Sequence, residues 1–470
     1  MAFQTIDFLV FMLLLLGSVP WLQHRAQNLV LLVASYTFYG WVSPWWCFLM
    51  GTTTVVDWFC ARQLSSRSGV GRRRWLVLSL VTNFSILCGF KYLGFFVSNV
   101  TALFATLGWM PSPWLLHIAL PAGISFFTFQ SASYVIDVYR GEVEARRSIW
   151  DYALFVSFFP QLVAGPIERA ENLLRQVCAP RIITQDGIRS GIILFLWGLM
   201  QKLVIADNAA LLANKVFSIK DASFPILWGG VIAFGVQIYA DFSGYTDMAR
   251  GAARTLGFEL RLNFNHPYLA QSPGDFWRRW HMSLSTWFRD YVYIPLGGSR
   301  HGVARMKRNL FITFLLSGLW HGASWNFILW GAFHGALVAF WPKTSASNTW
   351  WRVALRIITT WCLMHIGWLM FRERTSLSML VHYFTLNPLT ASAADWRIGI
   401  SFALEALIYG LPLLLLLPAI EKLGLLISKD DPAFNTWPKV TVQAVTVAAL
   451  VFIIAALRCP VTSDFIYFQF

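Results

Sequence analysis

His321 stands between Trp320 and Gly322 in the run LLSGLWHGASWNFILWG, inside an otherwise apolar stretch. An imidazole exchanges a proton near neutral pH, which a transferase needs when a hydroxyl attacks a thioester. Ionisable side chains within apolar segments are expensive, so they mark either function or a hydrogen bond to a neighbouring helix. For a lone membrane histidine the two readings weigh about evenly; a glycine on one side and an indole on the other suggest a cavity wall. His334, further along the same stretch, reads as a packed, hydrogen-bonded residue. Asp241 and Asp247, in QIYADFSGYTDMARG with Gln237 and Tyr239, form a second group. A buried carboxylate needs a cation, and Arg250 or another interfacial arginine is at hand. A structural ion pair is therefore the first reading and substrate lining the second. His281 lies one turn from Trp277 in FWRRWHMSL, and spacing alone makes it an amphipathic side chain at a membrane surface.

Other chemistries lack their residues. His281, His301, His321, His334 and His365 show neither an HExxH motif nor close paired spacing, so no metal site is expected. Neither kind of glycine-rich phosphate loop is present, and no Gly-x-Ser-x-Gly elbow, which argues against a self-contained serine hydrolase. The 6 cysteines have no CxxC spacing, and most lie in or beside apolar segments as small buried hydrophobes.

The elements that must carry these residues are membrane helices. Hydrophobic residues make up 57% of the chain and charged ones 13%, whereas a soluble domain has about 25% charged residues. Apolar runs suited to spanning helices fall near 7–23, 28–46, 44–60, 76–98, 114–136, 151–164, 189–216, 225–249, 309–341, 353–371, 400–423 and 438–457. The shortest, 151–164, suits a re-entrant or surface helix. A net charge of +14 does not imply nucleic acid here. Lysine and arginine gather in alternate loops, notably 62–74, 140–147, 169–189 and 250–308, while 99–115 and 218–224 hold one lysine and no arginine. That alternation is the positive-inside pattern of cytoplasmic loops. No basic residue precedes Arg25, which places the N-terminus outside the cytoplasm and argues against a cleaved signal peptide. With no repeat, linker or low-complexity tract, a single membrane domain over 1–470 is expected.

Two stretches depart from plain spans. In 272–298, Ser272 is an N-cap, Pro273 takes the first helical position and Asp275 the capping-box position. Trp277, Trp280, Leu284, Trp287 and Tyr291 then recur at the spacing of an amphipathic helix, with Arg278, Arg279 and Arg289 largely off the stripe. The reading is one helix lying at the cytoplasmic interface, ended by Pro295, Gly297 and Gly298. The stretch 309–341 is long for one span and carries Gly318, Gly322, Gly331 and Gly335 among polar residues. A broken helix is tolerated in a membrane where its freed backbone faces protein or a water-filled cavity.

These residues resemble the membrane-bound O-acyltransferase (MBOAT) family, and within it the bacterial branch that acetylates alginate. The matching runs are LVLLVASYTFYGW (29–41), LPAGISFFTFQSASYVIDVYRGE (120–142), FFPQLVAGPIER (158–169), QIYADFSGYTDMARG (237–251), FWRRWHMSLSTWFRDYVYIPLGG (276–298) and SGLWHGASWNFILWGAFHG (317–335). They keep the family's order over about 1–340, and 345–470 matches only loosely.

The resemblance implies an all-α integral membrane fold of about eleven spans, with interfacial and re-entrant helices around a central tunnel and a catalytic core near 120–340. It carries the family's essential histidine to His321 and its second conserved position to His281, which reverses the reading from spacing. Trp320, Asn326, Asp241, Gln237, Tyr239, Trp277, Arg278, Arg279 and Trp280 are then expected to line the tunnel or bind substrate. The implied donor is acetyl-CoA, its phosphates held by basic residues of 250–308. The implied partners are a periplasmic SGNH-type (AlgJ- or AlgX-like) acetyltransferase, a polysaccharide synthase and export complex, and membrane lipid, with no nucleic acid. The implied location is the bacterial inner membrane with a periplasmic N-terminus. Alginate and cellulose are the candidate polymers. A peptidoglycan O-acetyl translocator and a D-alanyl transferase for teichoic acid are the neighbouring readings. A polysaccharide transporter or export scaffold is the rival from another class, and the absence of paired broken helices counts against it.

Overall fold

A computed structural model describes residues 1–108, 121–162, 165–342, 349–373, 376–422 and 437–466, the side chains of 414–422 and 437–439 excepted. Every regular element among the described residues is helical. The chain packs as two compact units, 1–182 with 258–260, and 183–257 with 261–470.

The first unit is built from α1 (Ile6–Ser18), α2 (His24–Gly40), α3 (Trp45–Ser66), α4 (Val70–Lys91), α5 (Leu93–Thr106), α6 (Ile124–Arg140) and α7 (Ile149–Ser157). Ser148 caps α7 by accepting from the Asp151 amide. Asp57 on α3 is fully buried and is met by the Ser79 hydroxyl at 2.6 Å and the Asn83 amide at 2.8 Å, both from α4. Neutral donors thus satisfy a carboxylate that apolar packing alone would leave exposed to a large desolvation cost. Of the expected segment 114–136, the part before Pro121 lies outside the described residues; helix α6 takes up the chain from Ile124. The expected segment 151–164 proves short, since α7 stops at Ser157 and only the turn Phe159–Leu162 follows among described residues. Both are wholly buried in protein from Tyr152 onward, and Gln130 and Gln161 cap the freed Phe155 carbonyl at 2.7 Å each.

The second unit holds α8 (Gln185–Phe217), interrupted by a π-helical turn over Gln201–Ala206, and α9 (Phe224–Thr255). It continues through α10 (Pro273–Arg279), α11 (Met282–Phe288), α12 (Val303–His321), α13 (Trp325–Phe340), α14 (Trp350–Arg372), α15 (Leu377–Thr385), α16 (Ala393–Lys422) and α17 (Trp437–Leu457). Helix α9 is the axis of this unit: 83% of its apolar window is buried in protein, against 11% for α17, whose side chains are left for lipid. It can lie so deep because it crosses α8 at glycines. A Cβ on Gly244 would sit 2.8 Å from the Gly198 carbonyl, and one on Gly251 2.6 Å from that of Gly191. Small residues at crossings let membrane helices pack backbone to backbone.

Five helices among the described residues are long and apolar enough to span a bilayer, and a sixth if α4 and α5, bent by 61°, form one broken span. The chain is a multi-pass membrane protein. The expected long segment 309–341 is indeed broken, as α12 and α13 joined at Gly322–Ser324. The two pack as a close hairpin, with Gly331 of α13 set against the backbone of Phe314 and Leu315.

Candidate active site

Ser272 caps the helix as its sequence predicts, whereas Asp275 reaches past the N-cap amide of the expected capping box to the residue before it. Ser272 Oγ accepts from the Asp275 amide at 3.1 Å, and Asp275 Oδ2 accepts from the Gln271 amide at 3.1 Å. The single interfacial helix does not form, however. Helix α10 ends at Arg279, Trp280 is extended, and His281 takes the left-handed conformation (φ 44°, ψ 53°) before α11 begins. The cause is a neighbouring stretch, 263–265, that takes up the backbone groups a break sets free. Asn265 N–H donates to the Arg279 carbonyl at 2.9 Å, and Met282 N–H donates to the Asn263 carbonyl at 2.9 Å. Ser283 donates to Asn263 Oδ1 from both its amide, at 3.2 Å, and its hydroxyl, at 2.9 Å. The aromatic stripe also faces protein rather than lipid: Trp277, Trp280, Leu284 and Trp287 are all buried.

The break aims the imidazole of His281 inward. Its Nδ1 lies 3.2 Å from Asn263 Oδ1. Because that oxygen already accepts two Ser283 protons, Nδ1 must carry hydrogen, which leaves the lone pair on Nε2. Phe242 meets the ring edge-on at 4.7 Å. Burial pushes the His281 pKa down to about 3, so the ring is neutral at physiological pH.

His321 is the last residue of α12, immediately before the break, and only 4% exposed. Its ring is boxed by Trp320 at 5.0 Å, Trp330 at 5.0 Å and Phe371 at 5.3 Å. Trp320 also lies 6.2 Å from the ring of His281, so one indole neighbours both histidines. Trp330 passes from His321 to His334 at 4.7 Å, and Trp277 packs edge-on to both Trp330 and His334. His334 is packed as expected but not hydrogen-bonded: neither ring nitrogen meets a partner among the described residues.

The other sequence-derived candidates divide. Trp280 and Tyr239 join one aromatic cluster, 5.9 Å apart, with Trp368 4.8 Å from Trp280. Gln237 is buried nearby in chain on α9. Asn326 is turned to a different task, donating its amide to the Glu373 and Ser376 carbonyls and so tying α13 to the chain leaving α14. Arg278 and Arg279 pair with Asp275, at 3.7 and 3.1 Å, and the side chain of Arg278 is 73% exposed. Asp247 pairs with Arg250 at 3.1 Å as the spacing suggested. The cation for Asp241 is not an arginine but Lys202 of α8, 2.8 Å away. Sequence reasoning passed over Asn263, Phe242, Phe371 and Trp368. Only Asn263 carried a local signal, a polar residue in a short loop between apolar runs; the others are indistinguishable from ordinary core aromatics. Among the described residues no group of three or more His, Cys, Asp or Glu could hold a metal.

A profile of the membrane-bound O-acyltransferase family matches residues 31–380. A probable alginate O-acetylase of Pseudomonas aeruginosa is 42% identical over 378 residues, covering 79% of this chain and 72% of its own length. One from Pseudomonas putida is 36% identical with both chains covered end to end, at 100% each. A peptidoglycan O-acetyltransferase of Helicobacter pylori is 35% identical, covering 76% of this chain and 74% of its own. With most of its length matched by the family profile, this multi-pass chain belongs to the membrane-bound O-acyltransferase family and is an O-acyltransferase.

Proposed function

We propose that the chain takes acetyl from a cytoplasmic thioester donor, acetyl-CoA, and passes it across the bacterial inner membrane for O-acetylation of an exopolysaccharide. The observation that carries this reading is that two buried imidazoles, His321 and His281, both neighbour the indole of Trp320. In the proposed reaction the acceptor hydroxyl loses its proton to the His321 ring as its oxygen attacks the acetyl carbonyl. The carbon–sulfur bond then breaks, and the thiolate leaves toward the cytoplasm and takes up a proton. His281, neutral and held by Asn263, orients the donor side through its Nε2 lone pair. The aromatic walls exclude water, which would otherwise hydrolyse the thioester. Exposed Arg278 is suited to the donor's phosphates.

Alginate is favoured as the polymer, since two of the relatives are named for alginate acetylation, with cellulose as the alternative. The immediate acceptor on the outer side is proposed to be a periplasmic SGNH-type acetyltransferase working beside the synthase and export machinery. A periplasmic N-terminus is proposed, supported by the alternation of basic and non-basic loops along the chain, and 120–340 is proposed as the catalytic core of one membrane domain. The Helicobacter pylori relative supports a second reading, acetyl delivery to peptidoglycan. Polymer-bound and peptidoglycan-bound acetate should be measured in cells carrying the wild type or His321→Ala at equal membrane levels. Loss of polymer acetate while polymer export continues supports the proposal. Loss from peptidoglycan alone favours the second reading. Unchanged acetate, or failure of export itself, rejects the assignment of His321 and favours a transport role.

A further inference from the structure

The loosely matched C-terminal third enters the site from behind. Lys202, on the π-helical turn of α8, lies 2.9 Å from Asp207 and 2.8 Å from Asp241, with all three side chains at most 2% exposed. One ammonium facing two carboxylates leaves an excess negative charge in a dry place, which is costly unless further donors reach it. Those donors come from a segment more than two hundred residues away in sequence. Ser463 gives Asp207 its hydroxyl at 2.6 Å and its amide at 3.3 Å. The Ile466 amide donates to Asp241 at 2.7 Å, and the Ser463 carbonyl accepts from Lys202 at 2.8 Å. Upstream, the Cys459 amide donates to the Leu203 carbonyl at 2.9 Å, a backbone group that the π turn makes available. The segment 459–466 is thus pinned at both ends and in its middle.

Between the two carboxylate contacts lies Phe465, which is fully buried. Its ring packs tilted against Tyr245, centroids 4.2 Å apart, and lies 5.9 Å from the ring of Phe242. Phe242 in turn stands edge-on to His281. We propose that residues 459–466 are a latch on the acyl-transfer centre, in which Phe465 acts as a positioning residue that holds Phe242 against His281. The proposal rests on the acyl-transfer reading above. A histidine in a left-handed backbone conformation has neighbours that over-determine it, and the latch supplies the wall behind it. A misplacement of about 1 Å at such a group lowers turnover without any loss of substrate contacts.

The test uses the full chain in membranes, with acetyl transfer measured at varied acetyl-CoA concentration for the wild type, Phe465→Ala, Phe465→Leu, Ser463→Ala and His321→Ala. Phe465→Ala should lower turnover by about tenfold to a hundredfold with the donor KM unchanged. Phe465→Leu, which refills the volume, should recover a large part. Ser463→Ala removes no core volume and should lower turnover in the same direction by a smaller factor. Wild-type turnover per folded molecule in both Phe465→Ala and Ser463→Ala overturns the latch, as does a loss explained entirely by reduced membrane level. An active wild type with intact Phe465→Ala rejects only the latch, whereas a wild type that transfers no acetyl rejects the acyl-transfer reading beneath it.

Discussion

His281 and His266 are the only non-glycine residues among those described with positive φ. A side chain in that conformation costs about 1–2 kcal/mol. A His281→Gly variant should therefore be more stable than His281→Ala by about 1 kcal/mol, read as a higher unfolding temperature, while both lose acetyl transfer; equal or reversed stability would mean that the backbone there is relaxed. The titration gives a second check. The ring is held neutral when folded, down to a pKa of about 3, against an ordinary value near 6.5. Below pH 6.5 the unfolded chain binds the proton that the folded chain refuses. The stabilising contribution is whole above that pH and is lost as pH falls toward 3. Between pH 6 and 4 the wild type should lose up to about 1.4 kcal/mol per pH unit more than His281→Gln, read as the difference between their unfolding curves. None of this was legible in FWRRWHMSL. The spacing of Trp277, Trp280 and Leu284 is truly helical, and what breaks the helix is Asn263, a residue outside the pattern.

Helices were more legible than their bends. Capping chemistry at Ser272 and the interruption near Gly322 follow from local rules, because serine oxygens and glycines act on their own neighbours. The burial of α10 and α11, and the shortness of α7, depend on partners distant in sequence, which a hydropathy pattern does not contain. The hairpin of α12 and α13 sets where His321 ends up, and its closeness depends on Gly331, where a Cβ would sit 2.5 Å from the Phe314 carbonyl. Gly331→Val should separate the two helices and cost about 2–3 kcal/mol, seen as a lower melting temperature together with reduced transfer. If melting is unchanged, the hairpin is looser than the contact implies.

At the scale of the whole molecule, charge placement supports the proposed orientation and central burial gives the organisation of the second unit. The loop 218–223, between α8 and α9, has one lysine, and 294–308 is rich in arginine. In a cysteine-free background, Asp221→Cys should react with an impermeant maleimide in intact spheroplasts and Ser299→Cys only after lysis. The reverse pattern would invert the proposed topology and place the acetyl donor on the wrong side. The C-terminal third was the least legible part of the chain, yet it supplies Phe371 to His321 and Phe465 to the packing behind His281. Its docking also imposes a timetable on biogenesis. Asp207 waits for a hydroxyl 256 residues later in the chain. At ribosomal speeds of about 5–20 residues per second, that wait is on the order of 10–50 s. Once α9 is made and Asp241 joins Asp207 beside Lys202, the two helices hold one carboxylate more than their lysine balances until 463–466 arrives, a feature for membrane quality-control proteases to recognise. A nascent chain stalled before residue 463 would be marked as unfinished by the same charges that secure the completed protein.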